Sequence, residues 1–145
     1  MLVKEILSEY LQNVLPYEWE ERTNLSWYGQ FVAPDNSHIA FSTSQLSNGG
    51  WEISWLRNNV STRIKTDPRL TNAILSTINK MIGEFVSRVK PETIYVALTA
   101  NDPTKMSIYT RLLNKYGFVG HEITDDDEKE EKDLATEYQW WEFYQ

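Results

Sequence analysis

Leu2, Ile6, Leu7, Tyr10, Leu11 and Val14 recur at helical spacing until Pro16 interrupts them, which predicts a helix over about residues 2–14. The pattern then changes period. "LSWYGQFVA", "HIAFSTSQL" and "WEISWLRN" are short, aromatic and β-branched, and "PDNS" and "SNGG" separate them, so three antiparallel strands are expected within about 25–57. "WEERT" at 19–23 is a candidate edge strand. From Pro68 to Lys90 the residues Leu70, Ala73, Ile74, Thr77, Ile78, Met81, Ile82, Phe85, Val86 and Val89 keep an i, i+3, i+4 rhythm. This is the main helix, about 68–90, with Asp67 as N-cap and Pro68 at its first position.

"TIYVALT" at 93–99 is a continuous apolar run, as expected of a central strand covered on both faces. A helix over 103–116 follows, with Met106, Tyr109, Leu112, Leu113 and Tyr116 on one side and Gly117 at its end. Strands at 118–124 and 137–144 close the pattern, joined by an acidic loop at 125–136. Such an order predicts an α+β fold, a central twisted and mostly antiparallel mixed sheet flanked by helices.

The length, 145 residues, suits one domain over 1–145, which would bury about two-thirds of its unfolded surface. No apolar run approaches the ~20 residues that cross a bilayer, so a soluble protein without membrane contact is expected. The start of the chain carries Glu5 and Glu9 within its apolar pattern and does not read as a secretion signal. Cysteine is absent, which excludes disulfides and thiolate chemistry and fits a reducing compartment. The net charge of -7 is concentrated: residues 122–133 hold eight acids and two lysines, a local balance of -6. That balance argues against direct nucleic-acid binding, which depends on clustered Lys and Arg.

The element order, joined to "NDPTKMSIYTRLLNKYGF", resembles the GCN5-related N-acetyltransferase (GNAT) superfamily, and in particular its small, divergent members encoded by tailed bacteriophages. The resemblance implies a GNAT-like acyl-CoA N-acyltransferase fold. It also implies that Asn101 ends a strand beside the cofactor, that Tyr109 is the general acid protonating the departing coenzyme A thiolate, and that Gly117-Phe118 opens the next strand. Asn101 stands eight residues before Tyr109 where seven is common, which leaves Asp102 as the alternative occupant of that place, and Gly117 stands eight after it instead of four. Periodicity alone reads Tyr109 as packing, since it shares an apolar stripe. Both readings stand.

The superfamily holds acyl-CoA on a glycine-containing loop before its main helix, because bare backbone N–H groups and the positive helix end must close on a pyrophosphate. Here that segment is "STRIKTDPRLTNAIL", and no glycine occurs from Trp51 to Ile82. Pro68 lacks an N–H, Thr66 adds a branched side chain, and Asp67 brings a carboxylate to the helix end. Arg63, Lys65 and Arg69 remain as side-chain phosphate donors.

A retained fold signature beside an absent cradle leads to an acetyltransferase-like, phage-encoded protein with a degenerate acyl-CoA site, acting mainly by protein binding. Its place would be the virion or the host cytoplasm, directed at a host protein. No cofactor is then expected. If the chain is instead an enzyme, it is an acetyl-CoA-dependent N-acetyltransferase on a cationic amine, with Glu52 as general base. A surface glutamate, or one paired with a neighbouring arginine, is the plainer account of Glu52. A third reading is an acidic nucleic-acid mimic.

The partner-binding candidates are Asp125, Asp126, Asp127, Glu128, Glu130 and Glu131, with Trp140 and Trp141 exposed on a terminal edge strand. Self-association would use the same edge. His38 and His121 lie far apart in sequence without a ligand pattern, so no metal is expected.

Overall fold

A computed structural model of the chain describes residues 14–58, 68–98 and 103–145. Seven strands form one mixed sheet, in the order β1-β2-β3-β4-β5-β7-β6: β1 Tyr17–Arg22, β2 Ser26–Val32, β3 His38–Gln45, β4 Trp51–Asn58, β5 Thr93–Leu98, β6 Val119–Ile123 and β7 Gln139–Tyr144. The described residues also form three helices, α1 Pro68–Val89, α2 Pro103–Asn114 and α3 Asp126–Glu131. Pairing is antiparallel for β1 with β2, β5 with β7 and β6 with β7, and parallel for β4 with β5. The helix expected over 2–14 falls, except for Val14, outside the described residues, as do Asp67 and the loop before α1.

By internal packing the chain groups into two compact units, one comprising Met1–Ser42 with Trp55–Arg88, the other Thr43–Ser54 with Val89–Gln145. In the first, the charged "YEWEER" segment forms β1 and pairs with β2 despite its polarity, with a register shift between Trp19 and Glu21. Trp19 packs edge to face on Trp27 and Phe41, and Trp27 does the same on Phe85 of α1. Ile78, Met81, Ile82 and Phe85 are fully buried, as the helical rhythm predicts. Gly29 makes this close approach feasible: a Cβ there would lie 2.7 Å from Met81 Cε and from the Trp19 ring. At the β2–β3 turn, Arg57 donates to Asp35 at 2.6 Å and to the buried Ser37 hydroxyl at 3.0 Å.

In the second unit β7 lies between β5 and β6, hydrogen-bonded to both. This corrects the expectation of an exposed aromatic edge. Trp140 is buried and donates its Nε1–H to Ala135 O at 2.8 Å, while Trp141 is half-buried and stacks on Phe143. The physical reason is pairing: an interior strand has both hydrogen-bonding edges taken by its neighbours, so β7 offers no free edge. Gly117 ends α2 at φ +87°, with Phe118 N–H bonded to Leu113 O and Gly117 N–H to Asn114 O, a Schellman cap.

The acidic segment is corrected as well, since it contains a helix where a loop is expected. Asp125 caps α3 by accepting from Asp127 N–H at 2.9 Å, and Asp126, Asp127 and Glu128 sit at the positive helix end. Lys129 reaches Asp126 and Lys132 reaches Glu128, so the like charges are interleaved with cations along the helix.

Candidate functional site

Glu52 pairs with Tyr95, Tyr95 with Glu142, and Glu142 with His121, so strands β4, β5, β7 and β6 contribute one residue each to a single cross-strand row. Directly paired residues project to the same face of a sheet. Four titratable groups therefore share one face of the second unit. Beside the row, Tyr95 packs with Ile123, Leu134 and Trp140, an apolar cluster that lowers the local polarity.

Glu142 is the hub. Its side chain is 8 % exposed, and its Oε2 accepts from Tyr95 Oη at 2.7 Å and from Lys132 Nζ at 2.7 Å. His121 Nε2 lies 3.5 Å from Oε1, an ion pair when the imidazole is protonated. Lys132 also donates to Glu128 Oε1 at 3.1 Å, which ties α3 to the sheet. Burial works against ionisation of Glu142, but the hydrogen bonds from Lys132 and Tyr95 and the nearby positive charges outweigh it and hold the carboxyl below its ordinary range. Burial, then the hydrogen bond and charge of Glu142, push the Tyr95 phenol up and keep it neutral. Lys132 is raised too: burial opposes its charge, but Glu142 and Glu128 prevail.

Glu52 stands at the other end of the row and differs in kind. It is half-buried, burial raises its carboxyl above the ordinary value, and among the described residues it has no hydrogen-bond or ion-pair partner. An arginine pairing of Glu52 is not formed among the described residues; Arg57 of the same strand stands five positions away, on the opposite face by strand alternation, and bonds Asp35 and Ser37. A carboxylate so placed either receives a cation from outside or takes a proton at higher pH than an exposed glutamate does.

The other sequence candidates are spread. Tyr109 is 1 % exposed on α2 and sits outside the row, in the core with Met106, Leu112 and Leu113. Arg69 is exposed in the first turn of α1, and Arg63, Lys65 and Asn101 lie outside the described residues. Asp125, Asp126, Asp127, Glu130 and Glu131 are exposed, while Glu128 turns to Lys132. Tyr95, Glu142, His121 and Lys132 are not found by sequence reasoning; the available signal was Glu142, a lone charge inside the aromatic run "QWWEFY". Among the described residues no group of three or more His, Asp or Glu could hold a metal, and no helix is long and apolar enough to cross a membrane.

Helix α1 opens on Pro68, which offers no N–H, and its first turn follows a stretch without glycine. Pro68 therefore supplies no backbone donor at the helix end for a pyrophosphate of the kind the resemblance implies, and the loop before it lies outside the described residues.

No protein-family model and no curated protein matches the sequence. Among solved structures, a chimera of the Vibrio cholerae spermidine N-acetyltransferase SpeG with hSSAT aligns at TM-score 0.50 and 11 % identity, covering 84 % of this chain and 67 % of that one. A point mutant of Vibrio cholerae SpeG aligns at TM-score 0.48 and 12 % identity, over 97 % and 87 % of the two chains. The seven-stranded mixed sheet with its helices is the GNAT acyl-CoA N-acyltransferase fold. At this identity the likeness defines the fold.

Proposed function

We propose that the chain is an acetyltransferase-like protein that receives a cationic amine, such as a lysine side chain of a partner protein, on Glu52, and that makes little use of acyl-CoA. One observation carries this reading: among the described residues Glu52 is a half-buried carboxylate without a cation partner. An incoming ammonium would relieve the burial that now disfavours its charge. The neighbour of the same fold is a spermidine N-acetyltransferase, and spermidine is itself a cationic amine. Pro68 at the head of α1 supports the loss of the cofactor half of the chemistry. The test is calorimetric titration of the full chain, at low salt, with a short lysine-containing peptide and separately with acetyl-CoA. Expected are saturable binding of the peptide, weakened about tenfold by Glu52→Gln, and no heat from millimolar acetyl-CoA. Peptide binding unchanged by Glu52→Gln would overturn the reading.

A second reading is favoured by the raised carboxyl of Glu52. A base that holds its proton more tightly than an ordinary glutamate is better matched to removing one from an ammonium near neutral pH. In that case the chain is an active N-acetyltransferase on an amine. Thiol release from acetyl-CoA in the presence of amines, lost in Glu52→Gln and in Tyr109→Phe, is its signature.

A further inference from the structure

A shallow groove of about 550 Å³, open to solvent, runs in the first unit between the start of β1 and one face of α1. Its walls differ in chemistry. Val14 and Leu15 supply aliphatic surface, and Tyr17 and Trp19 meet edge to face with centroids 6.0 Å apart. Glu84 and Lys80 line it from α1.

Glu84 is fixed in place from two directions. Tyr17 Oη donates to Oε1, and Trp19 Nε1 donates to Oε2 at 2.7 Å. Each carboxylate oxygen keeps a second acceptor position. Burial opposes its charge, but those hydrogen bonds and the nearby Lys80 and Arg88 overcome the penalty and keep the group ionised. Lys80 is exposed and one helical turn from Glu84, about 6 Å along the axis. An i, i+4 contact is open to this pair, though with the lysine first it is the weaker order. Here Glu84 has turned toward β1 instead, and Lys80 has no hydrogen-bond or ion-pair partner among the described residues.

An anion and a cation held one turn apart, beside aromatic and aliphatic walls, form the complement of a zwitterion with an apolar side chain. We infer that this groove binds a free α-amino acid with an aromatic or aliphatic side chain, its ammonium on Glu84, its carboxylate on Lys80 and its side chain laid against the Tyr17, Trp19 and Leu15 surface. The site is in the first unit and independent of Glu52.

Calorimetry on the full chain decides the matter, with L-phenylalanine, phenethylamine, which lacks the carboxylate, and N-acetyl-L-phenylalanine, which lacks the ammonium. Expected are saturable one-site binding of phenylalanine and affinities at least about tenfold weaker for both analogues. Lys80→Met should weaken phenylalanine about tenfold and leave phenethylamine unchanged, while Glu84→Gln should weaken both. Glu84→Gln also loosens β1, so Lys80→Met, at an exposed position, is the deciding variant. No saturable heat from millimolar phenylalanine, equal affinity for all three probes, or unchanged phenylalanine binding in Lys80→Met would each overturn the assignment.

Discussion

Tyr95 donates its phenolic hydrogen to Glu142 across 2.7 Å, although 47 positions separate the two in the chain. The register of β5 on β7 makes them direct neighbours, and Gly50 makes the arrangement possible, because a Cβ there would lie 2.3 Å from Tyr95 Cε2. Glu142 thereby gains a neutral donor on one side and the Lys132 cation on the other. A buried carboxylate is tolerated only with such partners.

Removing the cation alone should therefore cost more than removing all three groups together. Lys132→Met leaves Glu142 buried with Tyr95 and a distant imidazole, and a loss of about 1–3 kcal/mol is expected in urea denaturation at unchanged m. The triple variant Lys132→Met, Glu142→Leu and Tyr95→Phe should recover part of this loss, since the three apolar groups leave neither a buried charge nor the Tyr95 hydroxyl unpaired. Additive losses would show that the three side chains act independently.

Stability should fall in acid. Glu142, Glu84 and Asp35 all hold their carboxyls below the ordinary range in the folded state. For Asp35 the main cause is the hydrogen bond from Ser37, and Arg57 adds its charge. A carboxyl depressed by folding contributes stability that is complete above its unfolded pKa, about 4, and is lost as pH falls through the folded value. Denaturation midpoints measured from pH 7 down to about 2.5 should drop steadily, with a shallower drop in Glu142→Gln.

Glu52 has the opposite sign. Its carboxyl is raised, so its contribution is most favourable when protonated and is lost as pH rises through the folded value. Glu52→Gln should match or exceed the parent in stability at pH 7, and the difference should vanish below about pH 4. A variant that is more stable yet loses amine binding is the expected mark of a functional carboxylate. Clear destabilisation at neutral pH would assign Glu52 a structural pairing role.

Two glycines should respond differently to alanine. At Gly120 a Cβ would lie 2.3 Å from Phe143 Cε1, and Phe143 is fully buried, so its ring has little room to yield. Gly120→Ala is expected to cost about 1–3 kcal/mol through overpacking. Gly49 has open space around it but a φ of +89°, so Gly49→Ala should cost about 1–2 kcal/mol from backbone strain alone. Thermal denaturation separates the two, because restoring space with Phe143→Leu should rescue only Gly120→Ala.

The long apolar rhythms of α1, β5 and α2 were readable because period and burial coincide, and Gly117 stops α2 for the steric reason its type suggests. β1 was harder, since four of its six residues are charged and its place depends on β2 and on Glu84 reaching back to Tyr17 and Trp19. The acidic segment read as a loop because charge density hides a helix whose cap and dipole favour those same acids. Glu52 was found as a candidate, yet its row was not. Tyr95, Glu142 and His121 meet through strand register, which no local stretch encodes.

The position of β7 also constrains the order of events during synthesis. β5 and β6 leave the ribosome first, and neither pairs with the other; each waits for residues 139–144 to enter the gap between them. Until then two unfinished strand edges are available to any neighbouring chain. A product truncated before Gln139 should form intermolecular sheet, whereas six more residues pair β5 and β6 through β7 and leave only the outer edge of β6 open.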